Sequence, residues 1–231
     1  MLAKYENIVI IPSLIDLHME DNLNVYTKAE RYEHTKVTIQ SVRDKIPNSF
    51  VVLIDVSTFS IAERMYFTDV CDLVINEPHN VALVAATKLN KNYGEMSYLQ
   101  RAFDVLSNGG SDYDFTDFPN LKAVFKVGGR YFLNEHFNYD SYNVDSDIVL
   151  ICPARLSVNN AQTCLFKIIK PNVGKFIGVM RQYNEPIIKN YLSIENCMYD
   201  YMFNHSSSFV DLSALGMTCL PARDRTSIFD I

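Results

Sequence analysis

No run of basic residues occurs in the 231-residue chain, and its formal net charge is −6. General nucleic-acid binding is thereby disfavoured, because a phosphate backbone demands a basic face. No hydrophobic stretch approaches the length needed to span a bilayer. Met1–Asn7 lacks the basic leader and long apolar run of a secretory signal, so the protein is expected in the cytoplasm. The five cysteines (Cys71, Cys152, Cys164, Cys197, Cys219) are odd in number, scattered, and never spaced as CxxC. Neither a zinc site nor a disulfide framework is supported. Most lie in apolar runs and read as buried free thiols in a reducing compartment. GxSxG, Walker A and GxGxxG patterns are all missing. There is no internal repeat and no low-complexity linker.

What is present is a chain that is 48% hydrophobic and 21% charged, as in ordinary soluble proteins and long enough to bury a core without disulfides. Continuous apolar, β-branched runs predict strands buried on both faces at Asn7–Ile11 and Phe50–Ile54, with a third at Leu73–Ile75 and a fourth at Ala123–Val127. Between them, Tyr32, Thr35, Ile39, Val42 and Ile46 mark one face of a helix over Lys28–Lys45. A short helix is expected over Ile61–Thr68, and another from Gly94, closed by Asn108-Gly109-Gly110. Alternating strand and helix argues for a mainly parallel sheet covered by helices. The second half reads as strands at Asp147–Cys152 and Cys164–Ile169, a helix over Ile187–Phe203 opened by Pro186, strand or loop at Phe209–Leu215, and a polar tail from Ala222. Together these predict one α/β domain.

Ligands of open α/β sheets bind at the carboxyl ends of strands. Pro12-Ser13, Asp55 with Ser57, Asn76-Glu77 and the turn Gly128–Tyr131 fall at such ends. In VFKVGGRYFL (Val124–Leu133) the two glycines allow a sharp turn and a close approach to a ligand. Lys126 and Arg130 beside that turn suggest an anion, which arginine can grip through two parallel hydrogen bonds. The plainer alternative is a strand exit with a surface arginine. Asp55 is suited to accept hydrogen bonds from a nucleobase or a ribose hydroxyl, or to cap the next helix. Glu195 sits on a stripe with Ile188, Leu192, Tyr199 and Met202. Desolvation there would raise its pKa and suit it to general-base work; the alternative is a stripe-edge residue reaching solvent. Asp112, Asp114 and Asp117, and the pair Asp145 and Asp147, have oxygen ligands fit for Mg²⁺ or Mn²⁺, but acidic loops are more often merely solvated.

Four segments together resemble glycosyltransferases of the GT-A fold, nearest to a subgroup of bacteria and large DNA viruses. They are RYEHTKVTIQSVRDKIPNSFVVLIDVS (Arg31–Ser57), NKNYGE (Asn90–Glu95), VFKVGGRYFLNEHF (Val124–Phe137) and YLSIENCMYDYMF (Tyr191–Phe203). The resemblance implies a single GT-A-like (Rossmann-like) domain over 1–231. Its half 1–133 would bind a UDP- or GDP-sugar and its half 134–231 would face a glycan acceptor. It implies donor binding by Pro12, Ser13, Asp55, Ser57, Lys126, Gly129, Arg130 and Tyr131, and catalysis by Glu195 as base in a transfer with inversion. Where most of that family carry DxD to hold a metal, this chain has Lys126–Tyr131. No metal-ligating residue is therefore assigned, and dependence on Mn²⁺ or Mg²⁺ is left open. A nucleotidyltransferase using metal at Asp145 and Asp147, and a non-catalytic nucleotide- or carbohydrate-binding module, remain the alternatives.

Overall fold

The computed structural model describes residues 2–16, 25–107, 113–150, 161–189 and 192–220, and the backbone of 229–230. The predicted Asn108–Gly110 helix stop, the polar tail from Ala222 apart from the backbone of Phe229–Asp230, and residues Asp112, Cys152 and Tyr191 lie outside that set.

The first half builds as its pattern predicts. Strand β1 (Asn7–Pro12) pairs in parallel with β2 (Ser49–Asp55) and with β4 (Ala123–Val127), and β2 with β3 (Leu73–Asn76). Every residue of β1, β2 and β4 is buried, as continuous apolar strands require. Alternate side chains serve two cores. Ile8 and Ile10 pack toward α4 (Lys91–Ser107), α5 (Val173–Gln182) and α7 (Ile194–Asp200). Val9 and Ile11 face α1 (Lys28–Lys45), α2 (Ile61–Val70) and a small sheet. The main sheet continues through β7 (Leu165–Ile169), β6 (Ile148–Leu150) and β8 (Phe209–Asp211), giving the order β3-β2-β1-β4-β7-β6-β8. Only the pairings of β7 are antiparallel within it. The small sheet joins β5 (Tyr131–Leu133), β9 (Met217–Cys219) and β10 (Phe229–Asp230). The fold is thus α/β, with a mostly parallel sheet covered on both faces. The chain leaves β1 toward β2 and β3, then returns on its other side as β4. The crevice between the carboxyl ends of β1 and β4 is therefore the switch point where such sheets bind ligands.

The second half departs from expectation. A single helix over Ile187–Phe203 does not form. It is divided into α6 (Asn184–Ile188) and α7, followed by a π-helical turn at Tyr201–His205. Ser193 starts α7 afresh through a capping box with Asn196, which satisfies otherwise orphaned N–H groups. Helix α5 and helix α3 (Val81–Leu89) went unpredicted. Gly94 does not open a helix but lies inside α4, where its missing side chain lets α3 approach. A Cβ there would stand 2.8 Å from Thr87 Cα. Gly94→Val should therefore force the two helices apart and cost about 1–3 kcal/mol. Urea denaturation reads this directly, and an unchanged midpoint would refute the contact.

Candidate active site

Asp55 ends β2 with no exposed surface. Its Oδ2 accepts hydrogen bonds from the Ser13 hydroxyl and from Ile15 N (3.1 Å), and its Oδ1 from Ser57 N (2.5 Å). Burial pushes its pKa above the usual carboxylate range, against the lowering effect of those bonds. Ser57 is equally buried, and its hydroxyl accepts from Asp16 N at 2.7 Å. Both side chains bind the loop after β1 to the loop after β2. Contact between Asp55 and a nucleobase or ribose, as expected from sequence, is not what this geometry offers, because the chain itself supplies the donors.

Gly129 lies on that platform. Its N–H donates to Pro12 O at 3.0 Å, and a Cβ would meet Pro12 O and Ser13 Cβ at 2.8 Å. Only glycine admits this approach. The Thr35 hydroxyl of α1 donates to Gly129 O at 3.1 Å, drawing α1 against the turn. The Tyr131 ring packs over Gly128, where a Cβ would come within 2.6 Å. Burial raises the pKa of its phenol.

Lys126 differs from expectation. It is 2% exposed, and its ammonium is taken by Glu95 of α4 and by the carbonyl of Thr163. Its charge is thus neutralised within the protein and does not face a diphosphate. Burial works to raise the pKa of Glu95, but the charge and hydrogen bond of Lys126 outweigh it, with Lys91 and Arg130 adding, and hold it below the ordinary value. The Thr163 hydroxyl donates to Glu195 Oε1 at 3.3 Å, so one residue bridges Lys126 and the proposed base. Glu195 lies on α7 beside the buried Ile194, Cys197 and Met198 and is itself half-buried. The apolar stripe expected to desolvate it does not exist as one helix, since α6 and α7 are separate. Cys164 follows Thr163, and its thiol is held below the usual value, first by a hydrogen bond with Cys219.

Arg130 is half-buried. Its Nη1 donates to Leu220 O at 3.2 Å and its guanidinium sits 5.8 Å from the Tyr131 ring centroid. No carboxylate pairs with it among the described residues. Beside it lies Arg31, from the first turn of α1, which sequence reasoning did not assign to the site. Arg31 is 6% exposed; its Nη1 donates to Leu14 O at 2.7 Å, while its Nε has no partner. Its pKa falls to about 10, first through burial and then through the charge of Arg130, with Asp55 opposing. The signal for it was its place four residues before Thr35 on the buried face of α1. Glu95, also unassigned, gave no signal apart from a carboxylate beside the buried Met96.

The acidic clusters lie elsewhere. Asp147 precedes β6, at the opposite end of the sheet, and accepts from Ser207 N and Oγ. Asp114 and Asp117 cap a short 3₁₀ turn. Asn76 donates to Asp55 O and Ser57 O, and Glu77 pairs with Arg101. Among the described residues no group of three His, Cys, Asp or Glu side chains could hold a metal ion. At the end of β4, Lys126 is paired with Glu95.

No family model matches the sequence, and no curated protein matches it. Among solved structures it is similar to the glycosyltransferase GlyE of Streptococcus pneumoniae TIGR4, at 8% identity and a TM-score of 0.48 over 90% of this chain. The chain spans 45% of that protein. It is also similar to a glycosyltransferase involved in the glycosylation of the major capsid of PBCV-1, at 12% identity and a TM-score of 0.44, covering 89% of this chain and 80% of that one. Likeness at these levels says nothing of activity or substrate.

Removing Lys126 strands a largely enclosed carboxylate. Lys126→Met should cost about 3–5 kcal/mol, and adding Glu95→Gln should recover part of the loss. Equal stability of the single and double variants in urea would remove this pair as a strut. Because the folded pKa of Glu95 is depressed, its contribution is present above the unfolded value of about 4.3 and is lost as pH falls toward the folded value. The advantage of wild type over Glu95→Gln should shrink across that acid window.

Proposed function

We propose that the chain is a nucleotide-sugar-dependent glycosyltransferase of GT-A type, acting on a saccharide or glycan acceptor with inversion. The observation that carries this reading is the crevice at the ends of β1 and β4. There an arginine with no carboxylate partner among the described residues and a half-buried glutamate flank one internal strut, Lys126–Thr163. The four sequence segments that resemble GT-A enzymes supply residues to this crevice or its walls.

The chemistry follows from the charges. The acceptor hydroxyl attacks the anomeric carbon of the donor, and the bond to the nucleoside diphosphate breaks. Negative charge grows on the departing diphosphate, where Arg130 is placed to stabilise it. Glu195 takes the hydroxyl proton, with Thr163 orienting its Oε1. Asp55, Ser13 and Ser57 hold the platform beneath the turn, and Tyr131 supplies a wall. A divalent cation is given no step, since the groups at the end of β4 do not suit one. The nucleotidyltransferase alternative loses its support because Asp145 and Asp147 belong to the far end of the sheet.

A thermal-shift screen across UDP- and GDP-sugars, followed by turnover with the ligand that binds, tests the reading. Glu195→Gln should lower kcat by about 10²–10⁴-fold while donor affinity holds. Near-normal turnover would remove Glu195 as base, and no stabilisation by any nucleotide-sugar would remove the assignment.

A further inference from the structure

We infer that Cys164 and Cys219 are a modification site, a thiol pair that a hydroperoxide converts to a disulfide across one wall of the crevice. The two are distant in sequence and belong to different parts of the fold. Cys164 immediately precedes β7 of the main sheet, and Cys219 ends β9 of the small one. The turn after β4 brings them together. Gly128 N donates to Cys164 O at 2.9 Å, the Tyr131 ring covers Gly128, and Tyr131 is paired with Cys219 across β5 and β9. The two thiols meet in a hydrogen bond.

This pair differs from the other described cysteines. Cys71 and Cys197 are buried, and burial pushes both thiols up to about 12. Both stay protonated at neutral pH, whereas the thiolate is the nucleophile. Cys164 is half-buried. Its thiol is held below the usual value, first by Cys219 and then by the charge of Lys126, against burial, Glu95 and Glu195. A reachable thiolate with a second thiol at hand has the attacking and the resolving sulfur of a peroxide-sensitive pair. The Cys164 sulfur attacks one peroxide oxygen, the O–O bond breaks, and a sulfenic acid forms with release of water or an alcohol. The Cys219 sulfur then attacks the sulfenic sulfur, and its proton leaves with the hydroxyl as water. Two thiols are oxidised and one hydroperoxide is reduced.

Each cysteine adjoins a residue that builds the crevice. Thr163 takes the Lys126 ammonium on its carbonyl and donates to Glu195 Oε1 at 3.3 Å. Leu220 O accepts from Arg130 at 3.2 Å. A disulfide holds its sulfurs about 2 Å apart, closer than a hydrogen bond does, so its formation shifts both neighbours. Bonds already 3.2 and 3.3 Å long have little reach to spare. Oxidation therefore displaces Glu195 or Arg130 and switches the crevice off. That last step rests on the glycosyltransferase reading; the disulfide does not.

The test treats the full chain with hydrogen peroxide, blocks free thiols with N-ethylmaleimide in denaturant, and maps the peptides by mass spectrometry. Wild type should yield a dithiothreitol-reversible bond between Cys164 and Cys219 of one chain, with Cys71 and Cys197 recovered as free thiols. Cys219→Ala should leave Cys164 as a sulfenic acid that dimedone traps. Turnover of the nucleotide-sugar found by the screen should fall by about tenfold to a hundredfold on oxidation, the cost of a small misplacement, and return with dithiothreitol. Peroxide should leave the turnover of Cys164→Ala at its starting level. Cys164 and Cys219 both free after treatment, Cys164 joined to Cys152 instead, or Cys71 and Cys197 reacting as fast, overturns the site. The mapped disulfide with undiminished turnover overturns the switch. The mapped disulfide in a protein that turns over no nucleotide-sugar supports the site and sinks the glycosyltransferase reading alone. Should Cys164→Ala fail to fold, the wild-type map and Cys219→Ala still decide.

Discussion

The site depends on one buried carboxylate. Asp55 accepts from Ser13, Ile15 and Ser57, and these bonds fix the loop after β1 against the end of β2. The position of Ser13 in turn sets the floor on which Gly129 rests. The carbonyl of Gly129 then receives Thr35 of α1. A chain of short contacts therefore runs from Asp55 to the turn that presents Arg130 and to the helix that carries Arg31. An acid with no exposed surface would be a liability alone. With its oxygens occupied by backbone and hydroxyl donors, it makes the switch-point crevice stiff. Stiffness matters because aligned charges stabilise a developing anion only if they need not be gathered at the moment of reaction.

The cations of this region divide by whether they are paired. Lys126 is the most enclosed, and Glu95 and Thr163 take up its ammonium. Its effect outside is small because its field is cancelled within a few ångströms. What it does is mechanical: it ties β4 to α4 and to Thr163, just before β7, and Thr163 passes that fixity to Glu195. Arg130 and Arg31 form no ion pair among the described residues, although Asp55 acts on Arg31 and Arg130 on Glu95. Guanidiniums in partial shelter from water have fields that solvent screens poorly. The same strand and turn thus yield one cation that builds and another with no carboxylate partner among the described residues.

Strands buried on both faces were legible because their apolar runs are continuous, and β1, β2 and β4 fall where NIVII, FVVLI and AVFKV stand. The switch point followed from their order. Helix α3 was hidden, since VALVAATKL is apolar on several sides and shows no single stripe, whereas α5 carries one at Val173, Phe176, Ile177 and Met180 that went unread. Pro186 was read as opening one long helix, although it lies inside the short α6. The site residues Pro12, Ser13, Asp55, Ser57, Gly129, Arg130 and Tyr131 are gathered by the fold, with Glu195 reached through Thr163. Their duties were less legible than their places. Whether Asp55 faces a ligand or a loop depends on which donors surround it. Whether Lys126 is free depends on Glu95, which lies 31 positions away in sequence. Partnership across such a separation is a tertiary fact that spacing does not encode.

The overall charge does not carry over to the crevice, where Lys126, Arg31 and Arg130 meet Asp55, Glu95 and Glu195, and the topology explains how. The chain carries a formal net charge of −6, yet its acids near the sheet are mostly spent on turns and pairs. Asp147 is bound by Ser207 and Asp114 by Thr116. Glu77 is bound by Arg101, and Asp72 by Arg43. These four acids do not add to Asp55, Glu95 and Glu195 at the carboxyl ends of β1 and β4. A low-dielectric crevice then focuses the field of its own cations despite the acidic surface around it. On the proposed reading, an anionic donor is repelled by the whole and attracted by one place. That contrast favours selectivity for the crevice over loose attachment elsewhere, and it follows from where the acids are tied, not from how many there are.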